Sequence, residues 1–305
     1  MTAQRQAIMQ VHQMSIAQFE QQFQDEDDCK SYLANNRWPT GVCCPRCGAD
    51  ATEHGTMEWH WNCYNCTKDG LSYRFSVTVG TIFENTNKPL REWFRVMHLI
   101  LTSKKGISSL QVMRYMGFGS YNTALKMCNK IRVALSGADF RQLVGVVEVD
   151  ETFVGGKAKN KHKKGRDQGP HGGAGVKEII VGAVQRKGNV IARVIADISK
   201  ETLDGFVNEV VSHKVSLLCT DEHRGYVDLW KLANHRVIVH SAGQYVNGAV
   251  HTNTIEGFWS IIKRGIMGTF HKVSRKYLPL YVAEFEFRYN NRMNADIFGA
   301  AIRAC

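Results

Sequence analysis

No stretch of this 305-residue chain approaches the roughly 18 consecutive apolar positions that a membrane-crossing helix requires. The opening Met1-Thr-Ala-Gln-Arg-Gln6 also lacks the apolar core of a secretion signal, so a cytoplasmic protein with no membrane partner is expected. Acid is the scarcer charge. There are 28 Asp and Glu against 39 Lys and Arg, a net charge of +11, and that balance favours a polyanionic partner because cations that neutralise phosphates release counterions. An apolar content of 44% excludes a disordered chain. The length allows one core of about 150 residues or more plus one or two small modules.

The chain has nine cysteines, and in a reducing compartment these are expected as thiols or metal ligands rather than disulfides. Four of them form two C-x-x-C pairs, Cys44-Pro-Arg-Cys47 and Cys63-Tyr-Asn-Cys66, separated by fifteen residues. That spacing is the one two metal-binding knuckles need, and four thiolates select a closed tetrahedral Zn2+ site that folds its module without catalysing anything. The intervening Thr56 to Asn62, with Trp59 and Trp61 alternating, is expected as a strand of the ribbon. Cys29, Cys43, Cys128, Cys219 and Cys305 fall outside this pattern.

Three carboxylates carry the chemistry. Asp150 ends the apolar run Leu143 to Val149, and Asp221 ends Val215 to Thr220, so both are expected at the carboxyl ends of buried strands. Glu256 lies in a segment where Ile255, Trp259 and Ile262 recur at helical spacing, with Thr252 or Asn253 available as a cap. Lys263 follows seven residues later, about 20° away around the helix, on the same face. Hard carboxylate oxygens converging from distant segments suit Mg2+ or Mn2+. Two such ions activate an oxygen nucleophile and offset the charge that spreads over a phosphodiester in transfer.

The stretches Val147-Glu-Val-Asp150-Glu-Thr-Phe-Val-Gly-Gly-Lys157, Cys219-Thr-Asp221-Glu-His-Arg-Gly-Tyr226 and Asn253-Thr-Ile-Glu256-Gly-Phe-Trp-Ser-Ile-Ile-Lys263-Arg-Gly265 resemble the DDE transposases of bacterial insertion sequences, in the group with an N-terminal zinc ribbon. The resemblance covers nearly the whole chain. It implies an α/β fold with an RNase H-like mixed sheet flanked by helices, divalent metal, and DNA strand cleavage followed by strand transfer. By motif position it assigns Asp150, Asp221 and Glu256 to the catalytic triad and Lys263 to the basic residue after it. Members of the group can place Asn at the third position, so Asn253 stands as an alternative ligand one turn before Glu256.

Segment by segment, residues 1–80 are expected as an N-terminal helix, over Ser15 to Ala34, and the ribbon. Residues 81–140 are expected as a helix-turn-helix-like DNA-binding segment in which Tyr121 to Leu135 is the recognition helix, bearing Lys126, Lys130 and Arg132. Residues 141–305 are expected as the catalytic domain. Within it, Lys157, Lys159, Lys161, Lys163, Lys164 and Arg166 form an acid-free basic stretch read as a clamp on DNA phosphates, and Arg264 is read as a further phosphate contact. The expected partners are double-stranded DNA, both element ends and target, and a second copy of the chain, since transposition joins two ends. Nucleoid association follows. An alternative is a DNA-binding regulator descended from a transposase and lacking catalysis; a nuclease of the same fold would release hydrolysed ends without joining them.

Overall fold

A computed structural model describes residues 14–68, 70–137, 141–155, 177–226, 229, 234–238 and 250–305. The chain divides into two compact units, Met1–Ala138 with Arg292–Cys305, and Asp139–Asn291. The last fourteen residues therefore group with the N-terminal unit, whereas the sequence pattern places them in the catalytic domain. Among the described residues no helix is long and apolar enough to cross a membrane.

The first unit opens with two helices where one is expected, α1 (Ile16–Gln22) and α2 (Glu26–Arg37). Ser15 and Asp25 each head a capping box, with Gln18 and Asp28 returning the bond, so the backbone breaks between two complete N-termini. The ribbon is a three-stranded antiparallel sheet, β1 (Thr52–Glu53), β2 (His60–Lys68) and β3 (Leu71–Ser76). Thr56 to Trp59 is a turn and not the expected strand; Trp59 has φ of 59°, a left-handed conformation that a strand does not admit. Next come α3 (Leu90–Thr102), α4 (Ser109–Met116) and α5 (Tyr121–Leu135). Gly117, at φ 64°, ends α4 in the left-handed cap that makes the turn into α5. Near the C-terminus, α9 (Ile297–Arg303) brings Phe298 into an aromatic cluster with Phe19, Phe23, Tyr32 and Phe94, which explains its membership of this unit.

The second unit is built on a five-stranded sheet. Its strands are β4 (Leu143–Val154), β5 (Glu178–Gln185), β6 (Val190–Ile195), β7 (Val211–Thr220) and β8 (His235–Val237), in the order β6-β5-β4-β7-β8. The first three in sequence pair antiparallel, and β4, β7 and β8 run parallel. The connection from β6 to β7 carries α6 (Lys200–Val210), and α7 (Asn253–Arg264) and α8 (Leu278–Asn290) follow β8. Alternation along β4 sorts its side chains between two cores. Val147 and Val149 pack with Val181, Ala183, Leu203, Phe206 and Val207 on the α6 face. On the other face Val154, Ile180 and Val184 pack with Ile255, Phe258, Trp259 and Ile262 of α7 and Val282 and Phe285 of α8.

One glycine sets how closely α7 lies on the sheet. A Cβ on Gly182 would come within 2.6 Å of Trp259 Cη2 and 3.2 Å of Ile255 Cδ1. Gly182→Ala is therefore expected to cost about 1–3 kcal/mol by forcing the Trp259 indole outward, measured as a lower denaturant midpoint with unchanged slope; an unaltered midpoint would show that α7 floats over the strand.

Candidate active site

Asp150 lies inside β4, four residues before its end, and not at a strand's carboxyl end as the apolar run suggests. The strand is long because its antiparallel partner β5 pairs with it as far as Val154. On its other side the paired residues of β7 extend only to Glu148 opposite Cys219. Extending that register by two residues sets Asp150 beside Asp221, the first residue after β7. The long strand thus carries Asp150 past the point where its parallel neighbour stops, and the two aspartates share that step in the sheet.

The neighbourhood is strongly anionic. Burial first, then the adjacent Glu151 and Asp221 carboxylates, push the Asp150 carboxyl up to about 7. Glu151 is also raised, chiefly by burial, and accepts a 2.6 Å hydrogen bond from the Tyr226 hydroxyl. Burial and Glu151 hold the Tyr226 phenol well above its ordinary range. Trp259 Nε1 donates to Asp150 Oδ2 at 2.9 Å and so orients that carboxylate from α7. The backbone amide of His223 donates to Asp221 Oδ1 at 3.0 Å.

Glu256 sits in the first turn of α7 on its exposed face, where Thr252 Oγ1 donates to Glu256 Oε1 at 3.0 Å. Asn253, Lys263 and Arg264 are also exposed, while Ile255, Phe258, Trp259 and Ile262 are buried, so the helix separates a polar face from a core face. Asp150, Asp221 and Glu256 are not drawn into one tight cluster: among the described residues, the cysteines alone form a group of three or more metal-capable side chains with ligand atoms within 4.8 Å of one another.

Sequence reasoning misses the residue that ties α7 to β4. Glu148 is fully buried, two residues before Asp150 on the same face of the strand. Its carboxylate accepts from the backbone amides of Thr254 at 2.8 Å and Ile255 at 3.0 Å, and from Thr254 Oγ1 at 2.8 Å. Thr252 makes no side-chain cap, so Glu148 caps α7 from outside the helix. Arg186 Nε donates to Glu148 at 2.6 Å while Arg186 Nη2 reaches the His251 carbonyl at 2.9 Å, and His251 Nδ1 lies 3.2 Å from the same carboxylate. The signal is present in Val-Val-Glu-Val-Asp: an acid inside an apolar strand must be paired when buried, and period two puts it on the face of Asp150.

In the ribbon, Cys44 and Cys66 Sγ are 4.0 Å apart and Cys47 and Cys63 Sγ 3.5 Å apart. A tetrahedron with Zn–S bonds of about 2.3 Å has edges of about 3.8 Å, so the four thiols fit Zn2+. The Arg46 amide points at Cys44 Sγ at 3.4 Å and Gly48, at φ 73°, closes the knuckle. Cys43 is bridged through its backbone to Asp50, and the four-cysteine group does not include it.

In α5, Lys126 and Lys130 are exposed, with Lys130 Nζ donating to the Ile82 carbonyl at 3.2 Å. Arg132 is wholly buried and donates to Asn129, so it is not a surface cation of that helix as expected; it falls on the stripe of Ala124, Cys128, Ile131 and Leu135. Lys157, Lys159, Lys161, Lys163, Lys164 and Arg166 lie outside the described residues.

Two family models match this architecture. Residues 142–290 match the ISXO2-like transposase domain, and residues 24–69 match the transposase zinc-ribbon domain. Both are transposase families, and they set the class of this chain. The chain is also 26% identical over 292 residues, 87% of its own length and 91% of the relative's, to an uncharacterized protein in transposable element ISH50 of Halobacterium salinarum. The chain belongs to the insertion-sequence transposases that join this zinc ribbon to an ISXO2-like transposase domain.

The raised Asp150 carboxyl makes a stability prediction. Its folded value, about 7, lies above its ordinary 3.8, so the native state binds more protons than the unfolded chain between those values, and stability falls as pH rises through that window. Asp150→Asn keeps an acceptor for Trp259 and removes the charge. In zinc-loaded protein without added Mg2+, this variant is expected to raise the thermal midpoint clearly at pH 8 and little at pH 4; an equal effect at both would mean the repulsion is absent.

Proposed function

We propose that the chain is an active DDE transposase that binds the ends of its element as duplex DNA and carries out strand cleavage and strand transfer on an RNase H-like core. The observation that carries this reading is the step in the sheet where Asp150, inside β4, lies beside Asp221, just past the end of the parallel β7, with Asp150 bonded to the helix that bears Glu256, within the matched transposase domain. The strand order, with three antiparallel strands followed by two parallel ones, supports the RNase H-like assignment.

Asp150, Asp221 and Glu256 are the proposed ligands of Mg2+ or Mn2+, with Asn253 the alternative third position. Their donor chemistry fits: hard carboxylate oxygens beside one another, with Asp150 penalised by burial and by the Glu151 and Asp221 carboxylates, are relieved by a divalent cation. When bound, a pair of such ions activates the attacking oxygen and offsets charge on the leaving one. The protein's own residues do the rest. Trp259 fixes the Asp150 carboxylate, and Glu148 holds the helix that presents Glu256. Lys263 and Arg264, exposed on α7, hold phosphates of the reacting strand. Hydrolysis frees a 3′-hydroxyl at the element end, and that hydroxyl attacks a target phosphodiester, joining to its 5′-phosphate and releasing the target strand's own 3′-hydroxyl, without a covalent protein intermediate.

The ribbon is proposed to hold one structural Zn2+ through Cys44, Cys47, Cys63 and Cys66, and, with Lys126 and Lys130 of α5, to engage DNA. Two copies are proposed to act on paired element ends. The non-catalytic alternative requires no aspartates placed side by side at a step in the sheet.

The deciding experiment is cleavage and joining of the element's terminal DNA in Mg2+ or Mn2+. Asp150→Asn and Glu256→Gln are each expected to lower both steps by at least about 100-fold, the upper end of what changes outside a ligand set cause, with DNA binding retained. Wild-type cleavage by Asp150→Asn would overturn the site, and joining lost in Glu256→Gln favours Glu256 over Asn253. For the ribbon, Cys63→Ser is expected to lose the single zinc measured per chain and to unfold residues 44–76 while leaving the sheet unit intact.

A further inference from the structure

The 27 residues from Gly257 to Ala283 contain no Asp or Glu. Within them Lys263, Arg264, His271, Lys272, Arg275 and Lys276 are all exposed. The first two end α7 on the face proposed to meet the reacting strand. The other four lie in the segment that follows, and the strand-transfer chemistry gives them no role.

That segment is built and not merely a solvated loop. After Arg264 the helix widens into a π turn, Gly265–Phe270, a rare geometry that recurs at functional sites. It stops at His271, held at φ 57° and ψ −46°, a region a non-glycine residue enters only when its surroundings impose it. Apolar side chains pin it from below. Phe270 and Val273 pack on the core shared by the sheet, α7 and α8, with the Phe270 ring 4.7 Å from that of Tyr281. Arg275 Nε pairs with Glu178 Oε2 at 3.2 Å at the start of β5, while the Arg275 side chain stays 77% exposed. Lys276 Nζ lies 5.5 Å from the centre of the exposed Tyr277 ring. Phe270 and Val273 turn inward, and His271, Lys272, Arg275 and Lys276 turn out to solvent from a fixed backbone.

We propose that residues 263–277 form a phosphate-holding strap for duplex DNA, extending the binding surface of α7 beyond the reacting phosphodiester. Five Lys or Arg side chains with no intervening acid match the regular negative charge of a duplex backbone, and the anchored backbone spares the ordering cost that a mobile basic tail would bear. The strap reads no bases; it supplies sequence-independent grip. The inference rests on the transposase reading for its partner, and its test is separable from catalysis.

The test measures binding of the full-length, zinc-loaded protein to a fluorescent duplex of mixed sequence across a range of NaCl concentrations. Lys272→Ala/Lys276→Ala is expected to lower the slope of log affinity against log salt by about 2, at roughly 0.9 for each phosphate no longer neutralised. Affinity at about 0.1 M salt is expected to drop more than tenfold, with an unchanged thermal midpoint because both side chains are exposed. An unchanged slope overturns the strap. So does a fall about half as large in Lys214→Ala, a single exposed cation on β7 of the same unit, since an equal loss per charge would make the effect one of net charge. Asp150→Asn, which tests the catalytic reading, is expected to leave this slope unmoved, so either reading can fail alone.

Discussion

The carboxylate of Glu148 is the interaction on which the geometry of the site depends. A fully buried anion costs several kcal/mol unless its lone pairs are met, and here they are met by the open end of α7, by Thr254 Oγ1 and by Arg186. The helix end needs the anion as much as the anion needs the helix, because Thr252 provides no cap. The pairing fixes α7 on β4 in rotation and height. Trp259 then falls over Asp150, and Glu256 stands on the polar face one residue after the capped Ile255 amide. Gly182 permits this approach, since a Cβ on the strand beside Asp150 would strike the indole.

Three acids of this architecture have different fates, set by what surrounds them. Glu148 is neutralised by a guanidinium and a helix end. Asp150 has an indole N–H and the Glu151 backbone amide against burial and two neighbouring carboxylates, so its charge is held at a cost. Glu256 stands in solvent with one hydroxyl partner. An acid whose charge is disfavoured beside another is poised to take a cation, and this links the fold's electrostatics to the proposed chemistry. The same asymmetry appears along α7: a buried stripe locks the helix on the sheet, while its outer face continues into the acid-free segment through the π turn.

Much of the local structure is legible because the periodicity is strong. Tyr121–Leu135 has the boundaries its pattern implies, and the two C-x-x-C pairs meet in one cluster. The departures have specific causes. Ser15 to Ala34 reads as one helix because its apolar residues continue through Asp25, although Asp25 and Asp28 form a capping box that restarts the chain. Arg132 counts as a surface cation by residue type, yet its position at four residues from Cys128 sends it into the core. The end of β4 falls, by pattern, where apolar residues stop, whereas the strand runs on as long as β5 offers backbone partners.

The sequence alone determined which chemistry is available: four thiolates at ribbon spacing, carboxylates after apolar runs, a lysine seven residues past the glutamate, and an excess of positive charge. Those are properties of residue type and short-range spacing, and they survive without knowledge of neighbours. Only the tertiary structure decided which acid caps a helix, which is buried against its own kind and which faces solvent, and that Phe298 near the C-terminus completes an aromatic core begun at Phe19. The reason is that a side chain's solvation, field and hydrogen-bond partners come from residues distant in the chain, more than a hundred positions away for Glu148 and Ile255, and no local pattern records them.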